Sequence, residues 1–303
     1  MTTDVAAHGT IRERIARFER WHYEFDLGGV KTPIFDPDSV RRHEERRAYF
    51  FDPLVRLLGG TLAGKRVLDL GCNAGWWSLL AIEAGCDFVA GIDGRPAHID
   101  QARLVFETKG VDPRRYRFIH GDLTRVDLER EGPFDVVLAL GIFYHISKPF
   151  ELLERIAVAS TDVLVIDTAI SKASGSFFEL VREPIDEPRN AIDRELVLWP
   201  TLPALLEAMR EFHYRVQPLE PRFGDWKGSE DYRRGLRRAV VGARRTDLTP
   251  LRPLASTGVE PGRGAGTHLL APTDLSGEAW RSLLAGLGMK ALRALGFGRQ
   301  PGP

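Results

Sequence analysis

Cysteine is nearly missing from this 303-residue chain, and the two present, Cys72 and Cys86, supply neither a disulfide framework nor a paired zinc-ligand motif. A reducing, cytoplasmic setting is therefore the expectation. No stretch approaches the ~18 consecutive apolar residues of a membrane span, and Met1–Arg20 lacks the apolar core of a secretory leader. Net charge is missing too: 42 lysines and arginines balance 42 aspartates and glutamates, so nothing global draws the chain to nucleic acid. H-x-x-H pairs and internal repeats are likewise absent, which leaves a metal-assisted mechanism without support and sets the expectation of no metal. What is present is ordinary globular composition, 43% apolar and 28% charged, enough to bury one α/β domain with appendages.

Along the chain, Ile11, Ile15, Phe18 and His22/Tyr23 recur at helical spacing, which predicts an amphipathic helix from Thr10 to about Phe25 ending at Gly28-Gly29. Ser39 could cap a second helix, from about Val40 to Leu58, with an arginine-rich face. Residues 1–60 thus read as a helical cap. Strand-like runs then occur at Arg66–Leu70, Phe88–Ile92, Tyr116–Ile119, Phe134–Leu140 and Val163–Asp167, with helical patterns at Trp77–Ala84, Pro96–Lys109 and Pro149–Ala159. Such alternation implies a parallel sheet covered on both faces. A further helix is expected over Leu202–Phe212, and Arg238–Ala243 reads as a late strand able to join the sheet antiparallel, closing a domain of residues 61–245.

Within that domain, Thr168–Trp199 reads as an insertion lining the acceptor pocket, through Ser171, Ser174, Arg182, Glu183 and Arg189. Residues 246–274 are rich in Pro, Gly, Ser and Thr and read as a linker. Residues 275–303 resume a helical pattern with Trp280, Leu283, Leu284, Leu287, Leu292 and Leu295 on one side. That helix could pack on its own chain, bind a partner or lie on a membrane surface.

The chemistry concentrates in three places. Val67-Leu-Asp-Leu-Gly-Cys-Asn-Ala-Gly75 is a buried strand feeding a tight turn and then a helix, the form of a nucleotide crevice. Gly71 and Gly75 let a ligand approach the backbone, and Asn73 tolerates left-handed geometry. The spacing is not G-x-G-x-x-G, so pyrophosphate binding is not indicated; Asp69 suits an ammonium group instead. Asp93 ends the next strand, where adenosine cofactors bind their ribose. Asp122, beside Leu123, could accept from an adenine amino group or cap a following helix.

In these residues the chain resembles the class I S-adenosylmethionine-dependent methyltransferases, and within them the tRNA wobble-uridine carboxymethyltransferase-like group. The resemblance covers roughly residues 21–245 and is carried by Val67–Gly75, Gly91-Ile-Asp93, Leu140-Gly-Ile-Phe-Tyr-His145 and Arg238-Ala-Val-Val-Gly-Ala-Arg244. It implies a Rossmann-like three-layer α/β/α sandwich with a mostly parallel seven-stranded sheet and an antiparallel late strand. It also implies S-adenosylmethionine held by Asp69, Gly71, Asn73, Gly75, Asp93, Asp122, Leu123 and Leu140. In that group an extra donor carboxylate is held by a lysine, by the tyrosine matching Tyr144 and by the arginine matching Arg238. The lysine has no counterpart near Arg20-Trp21-His22 or Tyr49-Phe50-Phe51, leaving Lys31 as a substitute; this favours methyl over carboxymethyl transfer.

Transfer of methyl from a sulfonium is an in-line displacement that mainly needs alignment, and an alcohol acceptor also needs a base. His145 is the candidate base, or else a histidine ordering its loop; Tyr144 is read as orienting substrate or cofactor. His22 and Tyr23 could close over the acceptor, and Trp76 or Trp77 could stack on a ligand or belong to the core. Arg233, Arg234, Arg237, Arg244 and Arg245 could touch RNA phosphates or form a solvated face. The expected function is methylation of a hydroxyl on a small molecule such as a sugar or secondary metabolite. The alternatives are a tRNA wobble-uridine methyl- or carboxymethyltransferase and a non-catalytic cofactor-binding interaction protein.

Overall fold

The structure, a computed structural model, describes residues 9–34, 36–184, 190 and 195–251. The expected linker and the helix of residues 275–303 therefore lie outside the described residues, as does Arg189.

Nine strands are described: β1 (Arg66–Leu70), β2 (Phe88–Asp93), β3 (Tyr116–His120), β4 (Phe134–Leu140), β5 (Ser160–Ala169), β6 (Phe178–Arg182), β7 (Leu196–Pro200), β8 (Arg215–Pro218) and β9 (Arg237–Ala243). Seven form one sheet in the order β3-β2-β1-β4-β5-β9-β8. From β3 to β5 neighbours run parallel, while β9 lies antiparallel between β5 and β8. β6 and β7 pair as a separate two-stranded hairpin in the segment expected to be an insertion.

The helices are α1 (Ile11–Ala16), α2 (Asp38–Arg46), α3 (Asp52–Leu57), α4 (Trp76–Glu83), α5 (Pro96–Thr108), α6 (Leu128–Glu131), α7 (Pro149–Ala159), α8 (Leu202–Glu211) and α9 (Glu230–Arg233). Alternate residues of each strand feed opposite faces of the sheet. Val67 of β1 packs in one cluster with Leu80 of α4 and Val105 and Phe106 of α5, beside Trp21, Phe50 and Leu54 of the N-terminal region. Leu68 and Leu70 pack in the other, with Leu152 and Ile156 of α7 and Leu205 and Met209 of α8. Helices thus cover both faces of a largely parallel sheet, and the chain is a three-layer α/β/α sandwich.

Two expectations near the N-terminus are corrected. The first helix ends at Ala16, not near Phe25. Beyond it Trp21, Tyr23, Phe25 and Leu27 are buried, while His22, Glu24 and Asp26 between them are more open. That alternation has the period of extended chain, and Trp21 bridges Ile34 and Asp26 bridges Lys31. The second helix is broken into α2, a π-helical turn over Arg47–Phe51, and α3. Pro53 lacks the N–H that a continuous α-helix needs at that point, and the wider turn just before it absorbs the mismatch.

Candidate active site

One cleft of about 990 Å³ opens at the carboxyl ends of β1, β2 and β4, where open α/β sheets bind ligands. It brings together ten of the expected residues: His22, Tyr23, Gly71, Asn73, Asp93, Asp122, Leu123, Leu140, Tyr144 and His145.

On one side the wall is the turn after β1. Gly71 and Asn73 have φ of +71° and +50°, and the amides of Gly71 and Cys72 donate to the carbonyl of Ile92 at 2.8 and 3.0 Å. A Cβ on Gly71 would stand 3.0 Å from Ile142, so only glycine keeps this turn tight against the loop after β4. Asp93 accepts from the Asn73 amide through Oδ2 at 2.9 Å and from the Arg95 amide through Oδ1 at 2.9 Å, with His98 Nδ1 3.1 Å away. Burial raises the pKa of this carboxyl, but His98 and the two amides outweigh it, so Asp93 stays ionised below the usual carboxylate range. An ionised carboxylate at a cleft wall is an acceptor for a vicinal diol. Asp122 accepts from the amide and hydroxyl of Thr124 at 2.8 Å each, which makes it the cap of a turn as well as a cleft residue.

The other side is built differently. Asp167, at 0% exposure near the end of β5, accepts from Arg46 Nη2 of α2 at 2.7 Å, Arg237 Nε of β9 at 2.9 Å and Tyr232 Oη of α9 at 2.7 Å. Arg42 adds a pair with Asp231, at 2.6 and 2.7 Å. Burial disfavours charge on Asp167, yet the two guanidiniums hold its pKa below normal. Two cations face one anion here, so positive charge is left over beside Gly141, whose missing Cβ would lie 3.1 Å from Arg237 Nη2. Burial pushes the Tyr23 phenol up to about 12, so it stays protonated at neutral pH and can donate.

Between the two sides stands the 3₁₀ turn Phe143–His145. Glu183 Oε2 lies 2.5 Å from His145 Nδ1, and Oε1 accepts from Trp199 Nε1 at 3.4 Å. Tyr144 packs on the imidazole with centroids 3.9 Å apart, and the Arg237 guanidinium sits over the Tyr144 ring at 5.2 Å.

Several expected residues stand elsewhere. Arg238 pairs with Glu220 at 3.4 Å, and Arg237 lines the cleft instead, because successive strand residues point to opposite faces. Trp77, 1% exposed, lies in the core against Phe50 and Phe51. Arg182 is exposed and pairs with Glu195 across the hairpin. Gly75, at φ +79°, does not line the cleft; its missing Cβ would meet Ala102, Phe106 and Phe118, so it serves helix packing. Asp69 is 1% exposed and accepts from Ser78 Oγ at 2.7 Å just beneath the turn. Lys31 is a surface residue paired with Glu24. Of the five arginines in the basic segment, Arg237 is buried, and Arg244 is half-buried and donates to the carbonyls of Ser160 and Phe212.

Arg46, Asp167, Tyr232 and His98 are site residues that the sequence reading does not single out, and Arg237 enters it only as part of the basic segment. A signal existed for two of them: Asp167 ends an apolar strand-like run, and Arg46 belongs to the arginine-rich helix face.

Comparison with known proteins agrees with this geometry. The profile of a methyltransferase domain family matches residues 67–160. The chain carries a class I, S-adenosylmethionine-dependent methyltransferase domain. Over 171 residues it is 30% identical to the O-antigen chain terminator bifunctional methyltransferase/kinase WbdD of Escherichia coli, covering 54% of this chain and 23% of that protein. Over 210 residues it is 29% identical to the tRNA U34 carboxymethyltransferase of Pseudomonas putida (strain GB-1), covering 68% of this chain and 60% of that protein. The chain thus spans less than two thirds of the length of either relative. Its fold superposes on the crystal structure of the N-terminal domain of EvdMO1 in the presence of SAH and D-fucose, with a TM-score of 0.60, 21% identity, and coverage of 79% of this chain and 99% of that one. No helix among the described residues is long and apolar enough to cross a membrane.

Proposed function

We propose that this methyltransferase acts on a hydroxyl of a small molecule, with His145 as the base. The observation that carries the reading is an imidazole that lines the donor cleft while its Nδ1 is engaged by a carboxylate. S-adenosylmethionine, when bound, supplies a methyl carbon made electrophilic by its sulfonium. Asp93 would take the ribose hydroxyls, Asp122 and Leu123 the adenine, and Gly71 and Asn73 leave the donor's amino-acid end room against the backbone. The surplus cation of the Arg46–Asp167–Arg237 group, on the opposite side, suits an acceptor oxygen that gains negative charge as its proton leaves. What the chain then has to do is align the acceptor oxygen and remove its proton.

A sugar or similarly hydroxylated metabolite fits a cleft of this size. The EvdMO1 domain seen with SAH and D-fucose lends support to that class. The test is to incubate the protein with S-adenosylmethionine and a panel of deoxysugars and phenols and to follow S-adenosylhomocysteine. Turnover that falls to background in His145→Gln supports the reading, and unchanged turnover in that variant removes it.

A second reading, modification of a tRNA wobble uridine, is favoured by the likeness to the tRNA U34 carboxymethyltransferase. Arg237 and Arg244 are occupied inside the protein, however, so the basic segment offers less to phosphates than its sequence suggests. Steep weakening of tRNA binding with rising salt would support this reading, since phosphate contacts release counterions; absent or salt-insensitive binding removes it.

A further inference from the structure

Glu183 is 6% exposed at the end of β6 and does not itself line the cleft. Its two oxygens have different tasks. Oε2 meets His145 Nδ1 at 2.5 Å, and Oε1 takes the indole N–H of Trp199 from β7 at 3.4 Å. The imidazole side chain is itself only 7% exposed and is pressed against Tyr144, which in turn meets Trp199 edge-on with centroids 5.9 Å apart. His145 Nε2 has no hydrogen-bond partner among the described residues, and His145 is part of the cleft wall.

These contacts fix more than the ring's position. With Glu183 as a carboxylate, which only accepts, the neutral imidazole carries its proton on Nδ1 and its lone pair on Nε2. Were the proton on Nε2 instead, Nδ1 would turn its lone pair on a carboxylate inside a buried site, setting two acceptors against each other with no hydrogen between them.

We propose that Glu183 is a positioning residue for methyl transfer: it holds His145 in the tautomer whose Nε2 faces the acceptor, and through Trp199 it makes that tautomer depend on the β6–β7 hairpin. The proposal rests on His145 as the base. As the acceptor oxygen bonds to the methyl carbon and the carbon–sulfur bond breaks, the hydroxyl proton passes to Nε2. The imidazolium so formed is balanced by the Glu183 carboxylate, and the proton later leaves to solvent. The base is thus supplied by the turn after β4, but its readiness is supplied by an inserted hairpin outside the common sheet.

The experiment is nitrogen NMR of 15N-histidine-labelled protein with S-adenosylhomocysteine as the added ligand, His145→Gln identifying the signal. In the parent protein we expect protonated Nδ1, unprotonated Nε2, and an Nδ1 proton far downfield, as a short charge-assisted bond gives. In Glu183→Gln that proton signal should be lost and the Nε2-protonated form should rise, with affinity for S-adenosylhomocysteine changed less than about twofold. Turnover on any hydroxyl acceptor from the panel should fall by at least roughly 100-fold with little change in KM, as when a triad loses its orienting carboxylate. If Glu183→Gln does not fold, Trp199→Phe serves, and the Nδ1 proton should then move without being lost. An Nε2-protonated His145 in the parent, or a signal unmoved in both variants, overturns the proposal. Normal turnover in His145→Gln, with the expected Nδ1 signal seen in the parent protein, would sink the base assignment alone and leave Glu183 as the holder of the ring.

Discussion

The two sides of the cleft solve opposite problems. One wall, the donor side in the proposed reading, is made of backbone turned outward: Gly71 and Asn73 in left-handed conformations, with one carboxylate, Asp93, kept charged by two amides and an imidazole. The opposite wall, the acceptor side in the proposed reading, is made of side chains turned inward, with Arg46, Arg237 and Tyr232 converging on the single carboxylate of Asp167. A backbone wall is local, tolerates sequence change and suits a ligand shared by many proteins. A side-chain wall is assembled from distant segments, can be rebuilt residue by residue, and suits a ligand particular to one protein.

If the two sides are energetically separate, damage to each should have a different signature. The largest effect is expected for Asp167→Ala, which leaves two buried guanidiniums facing each other. Loss of one member of a buried ion group costs about 3–5 kcal/mol, so the melting temperature should drop by roughly 10 °C; a drop of only a degree or two would mean the group is not what holds the acceptor side. Next comes His145→Gln, where loss of a general base should cost about 10²- to 10⁴-fold in turnover while S-adenosylhomocysteine binds normally by calorimetry. A matching loss of affinity would show that the sides are coupled. Asp93→Ala is the reverse case, with donor affinity down by roughly 30- to 100-fold through loss of a charged acceptor and a fall in the melting temperature of the free protein smaller than that of Asp167→Ala, from the two amides left unpaired.

The smallest effect separates pH from structure. Burial raises the Asp69 carboxyl to about 7, above its unfolded value. Between about pH 4 and 7 the folded state therefore holds a proton that the unfolded state has released, and this group's share of stability falls as pH rises. A cationic donor favours the ionised form. Donor affinity should therefore tighten severalfold from pH 6 to 8, with proton release seen as a buffer-dependent heat of binding, and Asp69→Asn should flatten the trend.

How much of this could be read beforehand follows the same division. Gly71, Asn73, Asp93, Asp122 and Leu123 each lie at or just past the end of a strand, so the order of strands and turns, with the family resemblance, points them to one crevice. Strand β9 was foreseen one residue late, and that single step exchanged Arg238 for Arg237 as the residue facing the ligand space. Arg46 meets Asp167 across 121 residues and Arg42 meets Asp231 across 189, separations at which local pattern carries no information about pairing. Trp21 to Leu27 departs from the expected helix for a different reason: its aromatic–polar alternation is that of extended chain, although it follows directly on the helical spacing of Ile11, Ile15 and Phe18.

The knot at Asp167 also sets a timetable. One carboxylate on β5 waits for an arginine from α2, made long before it, and for Tyr232 and Arg237, made long after. Contacts of such sequence separation are slow to form because chain entropy is lost before they return anything. The donor side can assemble as soon as β1 to β3 and their helices meet, whereas the acceptor side must wait until β9 slides in between β5 and β8. During folding there should thus be a species that already recognises the methyl donor and has as yet nowhere to put what receives it.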